Sequence, residues 1–220
     1  EVLEERGVVA TLFCTVRFAT AWSDLIRAAV VRHELGSHGW AHGRLEEGDV
    51  RRSREALEER FGVAVEGFRP ARFQAVRTEV VREAGYRYQS SENPIWLPGR
   101  YNMLGRPRTV YREGGVVQVP ISASPGLRLP LFWLAAKNYP ESVFRAVAGW
   151  TLRRDGYLNL FFHPWEMCDV GRWRLPWVVG RRGGRPMARW LRRQIEWLKE
   201  RAVFETLGGF TRGWSGEDRG

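Results

Sequence analysis

Residues 8–16 read VVATLFCTV, a nearly continuous apolar run rich in β-branched side chains. Such a run suits a strand covered on both faces, as inside a parallel sheet flanked by helices. The period then changes. Over residues 22–32 the apolar positions Leu25, Ile26, Ala29 and Val30 form one helical stripe, with Ser23 or Asp24 near its start. The alternation continues down the chain. Residues 49–61 read as a charged helix capped by Asp49 and stopped by Gly62, and 63–68 as a short strand. Residues 78–84 form a helix ended by Gly85, and 86–88 a strand. Further on come a helix at 140–154, a buried strand at 157–162, a helix at 185–201 and a last strand at 203–206. Strand and helix in alternation predict an α/β fold with parallel strands.

Residues 92–130 break this rhythm. They are dense in proline and glycine and read as an irregular insertion with one strand at 116–119. Residues 33–42 read as a polar loop with a short apolar centre. The tail from Gly208 to residue 220 reads as loose. The opening EVLEERG reads as the last turns of a helix closed by glycine, so an element is expected to continue upstream.

The 220 residues suit one domain of moderate size or two small ones. No apolar run approaches the roughly 18 residues of a membrane span, and no signal peptide opens the chain. A cytoplasmic location follows, or a periplasmic or secreted one if an upstream signal precedes these residues. The two cysteines, Cys14 and Cys168, are too few for a disulfide framework and read as buried thiols. The net charge of +10 permits an acidic partner, but Lys137 and Lys199 are the only lysines, and an arginine bias of this kind is weak evidence for one. The charge is dispersed and no DNA or RNA motif occurs, which argues against nucleic acid.

The four histidines carry more information. His33, His38 and His42 lie within ten residues, and His163 stands apart. On a helical turn, the spacing of His38 and His42 puts two imidazoles on one face, within reach of one metal ion. The same spacing also arises by chance on a solvated loop. His163 follows the apolar run YLNLFF, and Arg69 follows VAVEGF, so both fall at the C-terminal ends of expected strands. Open α/β sheets and α/β barrels place their chemistry at those ends.

These residues resemble a family. HELGSHGWAH is similar to the second motif of the NodB-type polysaccharide deacetylases, carbohydrate esterase family four. GFRPARF resembles the third motif and NLFFHPWE the last. YQSSENPIWLPGRYN, VVQVPIS and TLRRDGYLNLFFHPWE resemble the subgroup associated with bacterial exopolysaccharide loci. The resemblance covers roughly residues 7–206 and implies one NodB-like domain over 1–207. It implies a distorted (β/α)7-type barrel. It also implies a hydrolase that removes acetyl groups from N-acetylated sugars of a polysaccharide, using a divalent metal, most often zinc. By that resemblance His38 and His42 match the metal histidines. His163 matches the histidine that protonates the leaving amine, and Arg69 the arginine that orients the catalytic base.

The chain also departs from the pattern. The first family motif, with its metal-binding aspartate and its base, is absent from these residues, and the first strand with it. Asp24 and Glu34 are in the wrong place to replace it. Ala71, Arg72, Gln89 and Phe161 stand where the family commonly has other residues. A non-catalytic glycan-binding relative is therefore the competing expectation. Glu166 and Asp169 either fix the tautomer of a site histidine, supply a spare ligand, or cap the following turn. Trp40 and Trp165 are candidates for stacking on a sugar ring, as is Trp173; each serves equally as packing. The basic run from Arg172 to Arg193 reads as a solvated face, or as an attraction for an acidic polysaccharide.

Overall fold

A computed structural model describes residues 2–171 and 173–216. Glu1 of the opening helix, Arg172 at the head of the basic run, and residues 217–220 of the tail lie outside the described residues. The strands are β1 (Thr11–Cys14), β2 (Glu34–Ser37), β3 (Gly67–Phe68), β4 (Tyr88–Gln89), β5 (Trp96–Leu97), β6 (Tyr101–Asn102), β7 (Tyr111–Glu113) and β8 (Val116–Gln118). The chain divides into two compact units. A sheet unit holds residues 8–92, 110–119 and 204 onward, and a helical unit holds the first seven residues with 93–109 and 120–203.

The sheet unit carries one six-stranded sheet in the order β1-β2-β3-β4-β8-β7. The first five are parallel and β7 pairs antiparallel with β8. The β7–β8 hairpin turns on Gly114 and Gly115, both at positive φ, which is what a two-residue turn between twisted strands requires. On one side, the helix Glu47–Phe61 buries Val50, Ser53, Leu57 and Phe61 at helical spacing. Val50, Leu57 and Phe61 join Ile26, Leu35 and Phe68 in the core. Gly62 ends the helix at φ 66°, the left-handed stop expected from the sequence.

Gly36 lets β2 approach β1. A Cβ there would lie 2.6 Å from Cδ1 of Phe13. Gly36→Ala is expected to cost about 1–3 kcal/mol by overpacking. A drop in the urea midpoint at unchanged slope would show it, whereas an unchanged midpoint would mean that the Phe13 ring moves freely.

At the N-terminal edge of the sheet, Glu34 collects three donors. Thr11 Oγ1 donates at 2.6 Å, Tyr88 OH at 2.9 Å, and the backbone N–H of Gly208 at 2.9 Å. The Gly208 contact ties down the tail. The helix Leu207–Gly213, capped by Thr206, occupies the stretch expected to be loose from Gly208, and 203–206 is not the expected last strand. Here long-range hydrogen bonds to Thr11 and Glu34 order residues that their composition leaves undetermined.

The helical unit packs Trp133–Asn138, Glu141–Asp155 and Arg185–Lys199 around Leu131, Phe144, Met187 and Trp190. Phe144 and Trp190 meet edge to face at 4.8 Å. None of the helices is long and apolar enough to cross a membrane among the described residues.

The structure corrects several expectations. Residues 34–37 are a strand, not part of a loop, because Leu35, Gly36 and Ser37 are buried between β1 and β3. Asp49 lies in the first turn of its helix, and Glu46 holds the cap position. Cys168 is exposed, while Cys14 is buried and its thiol is pushed up to about 12 by desolvation. Residues 157–162 form no strand. Asn159 instead bonds outside a ladder: its N–H donates to Ser122 Oγ at 2.8 Å, its Nδ2 donates to Pro120 O at 3.0 Å, and its carbonyl accepts from Ser122 N–H at 2.9 Å. With 157–162 and 203–206 outside any ladder, the sheet has five parallel strands among the described residues, one fewer than the expected seven-strand type without its first strand.

Candidate catalytic residues and metal ligands

His38 follows the last residue of β2, and its backbone N–H donates to Cys14 O at 2.9 Å, extending the parallel ladder by one step. Its Nδ1 lies 2.6 Å from the backbone carbonyl of Arg69. A carbonyl only accepts, so Nδ1 carries the proton and Nε2 keeps its lone pair. That is how a ligating imidazole is oriented from behind. The His42 ring lies 5.4 Å from the His38 ring, tilted by 48°. The connecting residues are not a helical turn, as the spacing alone would have it; they form an irregular loop bent at Gly39, whose φ is 81°. The carbonyls of Gly39 and Trp40 accept from Val16 and Arg17, each at 3.1 Å, which anchors the loop to the start of the helix Val16–Ala21. His33 is buried at the opposite end of β2, so the four strand residues separate it from His38.

Arg69 closes β3 on the same edge as His38. Its N–H donates to Ser37 O, and its side chain donates to Ser90 twice, from Nε to the carbonyl at 3.2 Å and from Nη2 to Oγ at 2.8 Å. The guanidinium carbon sits 4.4 Å from the centre of the Phe13 ring. Burial pulls its pKa down to about 10, so the side chain stays a cation at neutral pH. Gln89, where the family often has aspartate, is buried and accepts from Ser91 Oγ at 3.0 Å. Trp40 is half-buried against the core, with the Arg52 guanidinium 3.7 Å from its ring centre, so a cation already occupies one face.

His163 heads a different cluster, in the helical unit. Glu166, buried one turn later, accepts both from His163 N–H at 3.1 Å and from Nδ1 at 2.7 Å. Of the readings open for Glu166, tautomer control and turn capping are therefore both realised. Asp169 accepts from Gly171 N–H at 2.9 Å, which is the local turn. Burial pushes the Glu166 carboxyl above its ordinary range, against the opposing pull of His163 and Lys137. Lys137 is buried in turn. Its Nζ donates to Val179 O at 2.8 Å and lies 4.7 Å from the Trp165 ring centre. Trp165 stacks on His163 at 5.8 Å and is 37% exposed. Trp133 packs edge-on against both rings. Neither Trp133 nor Lys137 was legible as part of this cluster. Glu166 had a signal, because an acid three residues after a turn-opening side chain is the capping-box spacing.

As for a metal, two imidazoles, one of them oriented by a carbonyl, fit a divalent ion of the zinc type in donor chemistry. No group of three His, Cys, Asp or Glu side chains that could hold a metal occurs among the described residues. The fit is thus that of two ligands.

Residues 1–89 match the family profile described as polysaccharide deacetylase. No curated protein matches the chain. Among solved structures, a Mycobacterium smegmatis protein assigned to the polysaccharide deacetylases is 19% identical with a TM-score of 0.64, covering 96% of this chain and 73% of its own. The PuuE allantoinase is 16% identical with a TM-score of 0.65, covering 97% and 69%. A CE4 family pseudoenzyme from Bacillus anthracis is 15% identical with a TM-score of 0.50, covering 93% and 56%. At such identities the likeness is one of fold. The chain therefore has the mixed α/β fold seen in polysaccharide deacetylases, and its first 89 residues match that family's profile.

Proposed function

We propose that the chain is a metal-dependent hydrolase that removes acetyl groups from N-acetylated sugars of a bacterial polysaccharide. The observation that carries this reading is the His38–His42 pair, with Nδ1 of His38 committed to the Arg69 carbonyl. The profile match over residues 1–89 supports it, since both histidines and Arg69 lie inside that span. His38 and His42 would hold the metal through ring nitrogens. When bound, the ion polarises the acetyl carbonyl and lowers the pKa of a water bound to it. The remaining work belongs to the side chains. Arg69, buried and cationic, presents a fixed positive charge at the end of β3. In this reading His163 delivers the proton to the leaving amine from Nε2, because Nδ1 is held by Glu166. Trp165 offers partly open aromatic surface beside that histidine.

A specific observation favours the second reading, a non-catalytic glycan binder. The two histidines lack a third ligand among the described residues, and a pseudoenzyme shares the fold. Acetate release from acetylated chito-oligosaccharides, together with metal content by plasma mass spectrometry after brief dialysis, separates the two. Near one zinc per chain and release that stops on chelation support the hydrolase. Glycan binding that survives chelation, with no acetate released, supports the binder and sinks the hydrolase.

His163→Ala is expected to lower turnover by about 10²–10⁴-fold while leaving metal content unchanged, as general-acid loss does. Loss of metal in that variant would overturn the division of roles.

A further inference from the structure

The helical unit contains a cavity of about 210 Å³ lined by Glu141, Arg182, Pro186, Arg189, Trp190 and Arg193. Three guanidinium charges face one carboxylate there, so two are uncompensated. Glu141 is already engaged by Arg193 Nη2 at 2.6 Å and by Arg145 at 2.8 Å. Arg189 has no carboxylate within ion-pair distance among the described residues. Arg182 is placed at a cost: it holds φ at 56°, a region that side chains other than glycine avoid. Its Nη1 is fixed by the carbonyls of Ala136 at 2.7 Å and Tyr139 at 3.3 Å.

Two further features point the same way. Pro186, Arg189, Trp190 and Arg193 lie along one face of the helix Arg185–Lys199, starting in its first turn. That turn has no acidic residue and no side-chain cap, so the helix dipole adds to the positive field, although Met187 and Ala188 N–H already donate to Gly184 O. Trp190 is 1% exposed, and its Nε1–H is buried without an acceptor among the described residues. Arg193 has the Glu141 carboxylate, whereas Trp190 Nε1–H lacks an acceptor and the Arg182 and Arg189 charges are not met by a carboxylate among the described residues.

We propose that this cavity binds a phosphoryl group. A dianion matches the two uncompensated charges, and its several oxygens match the forked guanidinium donors. The cavity leaves room for atoms attached to the phosphorus, so the source is either free phosphate or a phosphorylated sugar. The inference does not depend on the proposed deacetylation, and it uses none of the residues assigned to it.

Calorimetric titration of the chain with inorganic phosphate, and separately with a hexose monophosphate, tests it at low ionic strength, where surface screening is weakest. Saturable one-to-one binding is expected. Arg189→Ala is expected to weaken it at least tenfold, and Trp190→Phe, which keeps the packing and removes the N–H, several-fold. Arg154→Ala, on another helix, is the control for diffuse attraction and is expected to change nothing. Tighter binding of the hexose monophosphate assigns the source to a sugar, and equal binding assigns it to free phosphate. No saturable heat up to about 10 mM of either probe overturns the proposal, since the site would then contribute less than millimolar affinity. Equal weakening by Arg154→Ala also overturns it.

Discussion

His38→Ala is expected to abolish divalent-metal binding while leaving the fold nearly intact. Two imidazoles hold a metal only as a pair, so removing one leaves a single ligand, and the ion is lost. The structural cost is small by comparison. The side-chain hydrogen bond from His38 to the Arg69 carbonyl is lost, and a net contribution of about 1 kcal/mol is usual for such a bond. The backbone that places the loop is held by other contacts, through Cys14, Val16 and Arg17. Zinc titration followed by calorimetry, alongside thermal unfolding, reads both quantities. Retained binding at wild-type strength would remove His38 from the metal site and the proposed hydrolase with it. A collapse of the fold would mean that the Arg69 carbonyl depends on the imidazole far more than one bond implies.

Glu166→Ala is expected to cost about 2–4 kcal/mol, because it orphans the His163 N–H and Nδ1–H donors together. It also removes the negative charge that acts on buried Lys137. Glu166→Gln keeps an acceptor in place and is expected to cost far less. Both variants differ from the wild type in pH behaviour for a definite reason. Burial raises the folded-state pKa of Glu166, so the folded protein binds that proton more tightly than the unfolded chain. The stability this confers is fully present below the ordinary carboxylate range and is lost as pH climbs through the raised value. Glu166→Gln removes that loss. Its stability relative to the wild type should therefore rise from acidic to neutral pH. Urea unfolding at a series of pH values measures it, and a gap between the two that stays constant with pH would show that the carboxyl does not titrate during unfolding.

The parts of the fold that were legible in the sequence are those whose cause is local. Gly62 and Gly85 stop their helices because the backbone there takes positive φ. The stripe Val50, Leu57 and Phe61 declares its helix because 3.6 residues per turn is a property of a single segment. Other parts had no local signature. Residues 34–37 look like a loop by composition and are a strand because β1 and β3 flank them. Residues 157–162 look like a strand, yet Asn159 and Ser122 satisfy the backbone that a ladder would have paired. Gly114 and Gly115 carried a hairpin signal that the surrounding prolines obscured.

The candidate site divides in the same way. The sequence by itself determined that His38 and His42 sit four apart and that His163 opens HPWE, since spacing and order are covalent facts. Only the tertiary structure decided which nitrogen of His38 and of His163 is committed to a hydrogen bond. The Arg69 carbonyl that holds His38 comes from 31 residues away. The buried lysine and Trp133 beside His163 come from a helix that precedes it in the chain. Hydrogen-bond partners and burial depend on what folding brings near, and that proximity is a property of the packed chain, not of any segment within it.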